Sequence, residues 1–479
     1  MNPEDVQELI ENSGDLKTTY LGTRTSTLGV EENVGIDDSD RTLHTMVTGP
    51  TGTGKTNLLL MMILQDIEKE HGAAFLNPKG GVIDQIIGKM PRERLDDVIY
   101  INPGMNRCPD INLLNPDLPE DMREAGWEMQ RKIVVSNMMA LFRRLSDDIG
   151  ERWPRNLRSL LTAHITLNIE YDETNTLLDV YECVEDNETL VDLINRVPDQ
   201  VTRKQLEEIR ELSDREKQPL LRRLSDLLEN KVVRRIVTQP ESSISFREAL
   251  ENQQIILMDA QGGNVGDWAA RIIGSIVLTQ LWSATASRNQ LPENQRPPFH
   301  IFIDEIQEFV SEADHLRRML SQCREFNVSL TVATQYLDDL DSTMERAILN
   351  NTMTKAVFSP GASDDLTTFT RLMQGLTKDE LSQLGKYRPA VQLPAEQELP
   401  PAVIIDTYPP WQHDQERLEN RKQELLEQND RLEDNSLDTE ESTGDSAASG
   451  GEQHEQLLKE AKQYLEFEED VQVNIEYQD

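Results

Sequence analysis

The sequence predicts an α/β fold: a mostly parallel sheet covered by helices on both faces, an inserted all-α domain, and a disordered acidic C-terminal tail. Three observations predict it. Short apolar runs bounded by turn residues alternate with helical periodicity over most of the chain. One long central stretch keeps the helical period and loses the strand signal. After Tyr408-Pro409-Pro410 the composition shifts to Glu, Gln, Asp, Asn, Ser and Gly, which cannot bury enough apolar area to order itself.

The strand runs are Leu43–Thr48, Ala73–Leu76, Asp97–Ile101, Gln254–Asp259, His300–Ile303, Ser329–Thr334 and Lys355–Phe358. Ile255-Ile256-Leu257-Met258 and Ile301-Phe302-Ile303 are apolar without alternation, as befits parallel strands buried on both sides. The interruption runs from about Pro119 to Leu250. Its apolar residues recur at helical spacing (Val134, Met138, Leu141; Leu157, Leu160, Leu161, Ile165; Leu220, Leu224, Leu227, Leu228). The expected organisation is an N-terminal extension (1–20), an α/β domain in two parts (21–118 and 251–410) around the all-α insertion (119–250), and a tail (411–479).

Within the tail, Leu418, Leu425 and Leu432 recur every seven residues, but the companion positions Lys422 and Asn429 are polar. A solvated helix is expected there rather than a coiled coil. Residues Asp434 to Gly451 read as a flexible linker, Leu457, Leu458, Ala461 and Leu465 as an amphipathic face, and Val471, Val473, Ile475 and Tyr477 as an alternating strand. The tail holds no motif residue and no core of its own, so its deletion after Pro410 is expected to leave catalysis intact.

The charge balance is extreme. The chain of 479 residues has 87 acidic and 48 basic residues and a net charge of −39. From Asp414 to Asp479 there are 21 acidic and 6 basic residues, so the body is acidic too, as in proteins adapted to a high-salt cytoplasm. Such a surface repels nucleic acid at low salt. The basic pairs Arg143-Arg144, Arg222-Arg223 and Arg234-Arg235 are the local patches on offer. Cys108, Cys183 and Cys323 have no paired spacing, which supports neither a disulfide framework nor a zinc site. The longest apolar run, Leu58 to Leu64, falls far short of the roughly 20 residues of a membrane span. A cytoplasmic protein, recruited to the membrane only by others, is expected.

The sharpest chemical signal is Gly49-Pro50-Thr51-Gly52-Thr53-Gly54-Lys55-Thr56, a GxxxxGK[ST] loop between an apolar strand and an apolar helix. Its glycines let backbone N–H groups turn inward around phosphate, Lys55 supplies charge to the β- and γ-oxygens, and Thr56 offers a ligand to Mg²⁺. ATP with Mg²⁺ is the implied substrate pair. Hydrolysis needs carboxylates on a neighbouring strand, and Phe299-His300-Ile301-Phe302-Ile303-Asp304-Glu305 supplies them: Asp304 toward Mg²⁺, Glu305 as general base. Gln335 ends a buried strand where an amide can sense the γ-phosphate or orient water. Charge developing on the transferred phosphoryl group calls for an arginine, often from a neighbouring subunit in ring enzymes. Arg324 is the first candidate, with Arg317, Arg318 and Arg288 as competitors.

Together these residues resemble the HerA/FtsK superfamily of ring-forming, RecA-like P-loop ATPases, and within it the conjugative coupling proteins of type IV secretion. The likeness runs from about Leu21 to Leu393. It also uses His44, the segment Phe75-Leu76-Asn77-Pro78-Lys79-Gly80-Gly81, the Asp96 to Pro103 strand with Ile111-Asn112-Leu113-Leu114, the Ile303 to Phe309 block, Arg324 to Gln335, and Leu376 to Tyr387. Two departures stand out. Many relatives carry an Asp-Pro-His-Gly-Asp type segment where this chain has Asn77-Pro78-Lys79-Gly80-Gly81, leaving Lys79 as a candidate contact to phosphate or DNA. Membrane-anchored relatives begin with transmembrane helices, whereas here the P-loop follows after only 48 residues. The resemblance implies a homo-hexamer with ATP at its subunit interfaces and DNA in its channel, and a relaxosome, secretion or membrane partner for the acidic tail. The competing readings are a secretion ATPase that moves protein or powers assembly, and a scaffold switched by nucleotide.

Overall fold

In this computed structural model the described residues are 3–440, apart from Asp15, Thr27, Lys79, 106–107, 118–119, 145–152, 261–264, 311–312, Ala362, 395–399 and 409–414. Among the described residues are twelve strands: β1 (Thr18–Thr25), β2 (Glu31–Asp37), β3 (Thr45–Thr48), β4 (Gly72–Asn77), β5 (Val98–Ile101), β6 (Ile255–Asp259), β7 (Phe299–Ile303), β8 (Val328–Thr334), β9 (Thr354–Val357), β10 (Ala390–Gln392), β11 (Val403–Ile404) and β12 (Asp406–Thr407). Nine of them form one sheet in the order β11-β10-β9-β3-β8-β7-β4-β6-β5. From β9 to β5 every pairing is parallel, and β10 and β11 add antiparallel strands at one edge. All seven strands read from the sequence belong to the parallel part.

Alternate residues of one strand enter different cores, which is why the apolar runs show no alternation. Ala74 and Leu76 of β4, with Ile256 and Met258 of β6, join a cluster that includes Leu157, Leu161 and Ile276. Ala73 and Phe75, with Ile255 and Leu257, join another that includes Leu58, Ile63, Ile86, Leu418 and Leu425. The sheet is thus buried on both faces. Between β5 and β6 lie eight helices among the described residues, from Glu120–Arg144 to Phe246–Glu251, with no strand described between them.

Strands β1, β2 and β12 form a small antiparallel sheet that the sequence pattern did not reveal. Gly, Thr, Glu and Asn dilute its apolar signal, and its anchorage is polar. Arg41, fully buried, forms a bidentate pair with Asp66 at 2.9 Å and donates to Thr19 at 2.7 Å. Lys69 joins Asp38 and Thr19 in the same cluster.

The solvated helix expected around Leu418 and Leu425 is instead docked on the body. Within the helix Gln415–Glu440, Leu418 and Leu425 are 2% and 1% exposed. Arg421 donates to the carbonyls of Ile87 (2.6 Å) and Met90 (2.8 Å), capping the helix Val82–Lys89. The polar heptad companions are the reason for the difference: Lys422 pairs with Asp84 at 2.5 Å, and buried Asn429 donates to Tyr100 O at 3.1 Å, on edge strand β5. The linker, amphipathic face and terminal strand read between Asp434 and Tyr477 lie in large part outside the described residues, and from residue 441 entirely so. No helix among the described residues is long and apolar enough to cross a membrane.

Candidate active site

Strand β3 ends at Thr48 and delivers the P-loop to the carboxyl edge of the sheet. Gly49 and Gly54 have φ of 146° and 120°, and neither has room for a side chain. A Cβ on Gly49 would lie 2.5 Å from Phe358 Cβ, and one on Gly54 would lie 2.6 Å from Tyr387 Cδ1. These two aromatic residues back the loop, and Tyr387 N–H donates to Thr53 O at 2.7 Å. The helix Lys55–Glu68 then starts at the motif lysine. Lys55 is buried and its Nζ donates to Gly49 O at 2.5 Å, which holds the ammonium over the mouth of the loop. Pro50 O accepts from Thr53 Oγ1 at 2.8 Å, tightening the turn through Thr51 and Gly52.

The acidic pair arrives on β7. Because β8 lies between β3 and β7, the P-loop and the carboxylates stand two strands apart, and the end of β8 faces the gap. Asp304 is buried, and Thr56 Oγ1 lies 3.3 Å from its Oδ2. These are hard oxygen donors, the set Mg²⁺ prefers, beside a loop shaped for phosphate. Glu305, also buried, takes a left-handed backbone conformation with φ of 52°.

Gln335, in the gap, joins the two halves. Its Nε2 donates to Glu305 Oε1 at 2.6 Å, and its Oε1 accepts from Thr51 Oγ1 at 3.0 Å. A carboxylate only accepts and a hydroxyl can donate, so this double contact fixes which end of the amide faces which partner. The sequence located Gln335 but not its link through the Thr51 side chain. It took Gln307 only as part of the Ile303 to Phe309 block, with no role of its own, yet Gln307 Nε2 donates to Glu305 Oε2 at 2.9 Å. The available signal was an amide two residues beyond the acidic pair.

The structure brings Lys55, Thr56, Asp304, Glu305 and Gln335 together, and leaves Arg324 elsewhere. Arg324 is exposed and precedes the amino end of β8, at the opposite edge of the sheet from its own P-loop. Its charge falls instead near His44, which is buried at the start of β3. His44 Nδ1 accepts from Leu330 N–H at 3.1 Å and its Nε2 donates to Leu320 O at 2.8 Å. Burial above all, with Arg324 adding to it, pushes the His44 pKa down to about 4. His44 therefore stitches β3 to β8. Arg288 drops out as a competing arginine: it is 1% exposed and donates to the carbonyls of Pro297, Phe326 and Leu250.

Two of the basic pairs also commit an arginine to the fold. Arg223 lies over the Trp153 ring at 4.5 Å, and Arg235 donates to Met105 O at 2.7 Å. Lys79 lies outside the described residues. A second group with ligand-like spacing, Asp66, His71 and His300, sits at the amino edge of the sheet, where both Asp66 oxygens are bound by Arg41.

Solved structures share this fold. The bacterial conjugative coupling protein TrwBdeltaN70 in complex with sulphate aligns with a TM-score of 0.57 at 16% identity, over 86% of this chain and 94% of that one. TrwB in complex with ADP and Mg²⁺ gives 0.57 at 16% identity, over 87% and 95%. VirB4 of Thermoanaerobacter pseudethanolicus gives 0.54 at 17% identity, over 83% and 97%. At these identities the likeness is one of fold, a RecA-like P-loop architecture. No curated protein matches the sequence. The family model for the type IV secretion-system coupling protein DNA-binding domain matches residues 32–386, from β2 through the helical segment to the residue before Tyr387. With that match spanning well over half of the chain, the protein belongs to the type IV secretion-system coupling protein DNA-binding domain family.

Proposed function

We propose that the protein is a Mg²⁺-dependent ATPase that assembles as a homo-hexamer and moves DNA, in the manner of conjugative coupling proteins. The observation that carries the chemical part is the Thr51–Gln335–Glu305 chain of hydrogen bonds beside the Thr56–Asp304 pair: a phosphate loop, a cation pair and a buried carboxylate within one site. Family membership carries the DNA part. Related structures titled as complexes with ADP and Mg²⁺ and with a non-hydrolysable ATP analogue support the substrate pair.

In this reading the P-loop amides of Gly49 to Thr56 and Lys55 bind the phosphates of ATP. Thr56 and Asp304 would hold Mg²⁺, which would supply positive charge against the phosphates. Glu305 takes a proton from the attacking water, Gln335 keeps its carboxylate oriented against the P-loop, and Arg324 serves the site of the neighbouring subunit. The α/β parts (21–118 and 251–410) form the motor and the segment 119–250 a helical lid. The acidic body works in high salt, where repulsion from DNA is screened within about 3 Å at 1 M.

The test is ATP turnover in high KCl with and without single- and double-stranded DNA, with particle mass measured on the same sample. Stimulation by DNA in a six-subunit particle is expected. Turnover indifferent to DNA in a monomer would sink the motor reading and favour a nucleotide-switched scaffold. Stimulation by a protein substrate that DNA fails to compete would favour protein secretion.

A further inference from the structure

We infer that Gln307 is a positioning residue for Glu305, the second jaw of an amide clasp whose first jaw is Gln335; this rests on the reading of Glu305 as the general base. Each carboxylate oxygen receives a side-chain N–H: Oε1 from Gln335 at 2.6 Å and Oε2 from Gln307 at 2.9 Å. The acceptor-only carboxylate sets the orientation of both amides. Glu305 needs such restraint, because its left-handed backbone starts a tight turn over Ile306–Glu308 and the side chain leaves that turn toward the gap at the end of β8.

Gln307 also fails as a packing residue. Its Oε1 is buried and has no hydrogen-bond partner among the described residues. An unpartnered buried amide oxygen is destabilising, and methionine would fill the same space without one. What the amide offers that methionine does not is the N–H on Glu305.

The two jaws stand on different elements, which gives the clasp its purpose. Gln335 follows β8 and is tied to the P-loop through Thr51. Gln307 belongs to a turn fixed to the helix Asp267–Ser287: Phe309 fills the space where Gly274 lacks a side chain, Ser275 Oγ donates to Phe309 O at 2.9 Å, and Glu308 pairs with Arg271. That helix is joined to the helix Glu120–Arg144 through Asn137 Nδ2, which donates to Ser283 Oγ at 2.8 Å. The carboxylate is aligned only when the P-loop strand and the helix leading into the helical segment stand in register. Asp304, which precedes it in the chain, and the Glu308–Arg271 pair on the same turn are unchanged in every variant below.

The test uses the full chain with ATP, Mg²⁺ and DNA, comparing Gln307→Met, Gln307→Glu and Glu305→Gln. Loss of a hydrogen bond to a charged group lowers kcat by roughly 10- to 100-fold in Gln307→Met. KM for ATP stays within about threefold of wild type, since Gln307 touches Glu305 rather than the P-loop. Gln307→Glu keeps the shape, sets a second acceptor against the Glu305 carboxylate and turns over still more slowly, again with KM for ATP within about threefold of wild type. This split between kcat and KM decides the matter alone if the methionine variant does not fold.

Wild-type kcat in Gln307→Met overturns the inference. So does loss of activity in both variants with KM for ATP raised in step or the melting temperature lowered, which is the mark of a merely structural residue. Normal hydrolysis by Glu305→Gln removes the general-base reading itself. An inactive Glu305→Gln beside a wild-type Gln307→Met removes the clasp alone.

Discussion

Replacing Leu425 by Ala tests whether the helical residues 415–432 are packed as part of the α/β body, against the expectation from their composition. Leu425 is 1% exposed, within the core that also holds Ile86 and Tyr100. Leu→Ala at such a site costs about 2–5 kcal/mol. The helix follows the last described strand, β12, rather than bridging two strands, so the loss falls on its own docking before it falls on the sheet. Local opening therefore becomes more favourable by that amount, and amide exchange over 415–432 accelerates from roughly 30-fold to several thousand-fold, at about 1.4 kcal/mol per decade. Hydrogen exchange with mass spectrometry reads this segment by segment. Glu427→Ala, at an exposed position of the same helix, changes exchange by less than threefold. The reasoning is refuted if the wild-type helix already exchanges as fast as a free helix, or if Leu425→Ala leaves its protection unchanged. Deletion after Pro410 then exposes Ile87, Met90 and Tyr100 carbonyls that Arg421 and Asn429 now cover, and lowers the melting temperature of the body, whereas deletion of 441–479 does not.

Lys55→Ala loses ATP binding or turnover but keeps its circular dichroism spectrum, and unchanged turnover would end the P-loop assignment. Glu305→Gln binds ATP and fails to hydrolyse it, which filter binding and single-turnover assays separate. Arg324→Ala binds nucleotide nearly as wild type and turns it over about 10³- to 10⁵-fold more slowly. Adding Glu305→Gln subunits, which still carry Arg324, restores activity at neighbouring intact sites; absence of complementation would place Arg324 outside catalysis in trans. The folded chain keeps His44 neutral down to about pH 4 while an unfolded chain protonates it near 6.5, so between those values the unfolded state binds more protons. The stability difference between wild type and His44→Gln, from chemical denaturation, is fully present above about pH 6.5 and falls by about 3 kcal/mol as the pH drops to about 4. A difference flat with pH would show that His44 is not held neutral.

Much of this protein was determined by short-range pattern. The seven parallel strands could be read because a strand buried on both faces must be apolar at every position, and Ile255–Met258 and Ile301–Ile303 are. That Lys55, Thr56, Asp304 and Glu305 would lie at neighbouring strand ends could be read from the sequence, because a phosphate-loop motif and an acidic pair each sit at a fixed offset from an apolar strand. Tertiary structure decided what depends on partners distant in sequence. Composition around residues 415–440 reads as solvated, yet Arg421 and Asn429 find open carbonyls on the body some 330 residues earlier, and a polar side chain that has found its partner is as buriable as leucine. Arg288 stood as a competitor to Arg324, and three carbonyls enclose it. The sheet order, with β8 between β3 and β7, placed Gln335 between Thr51 and Glu305, separations of 284 and 30 residues that no local period encodes.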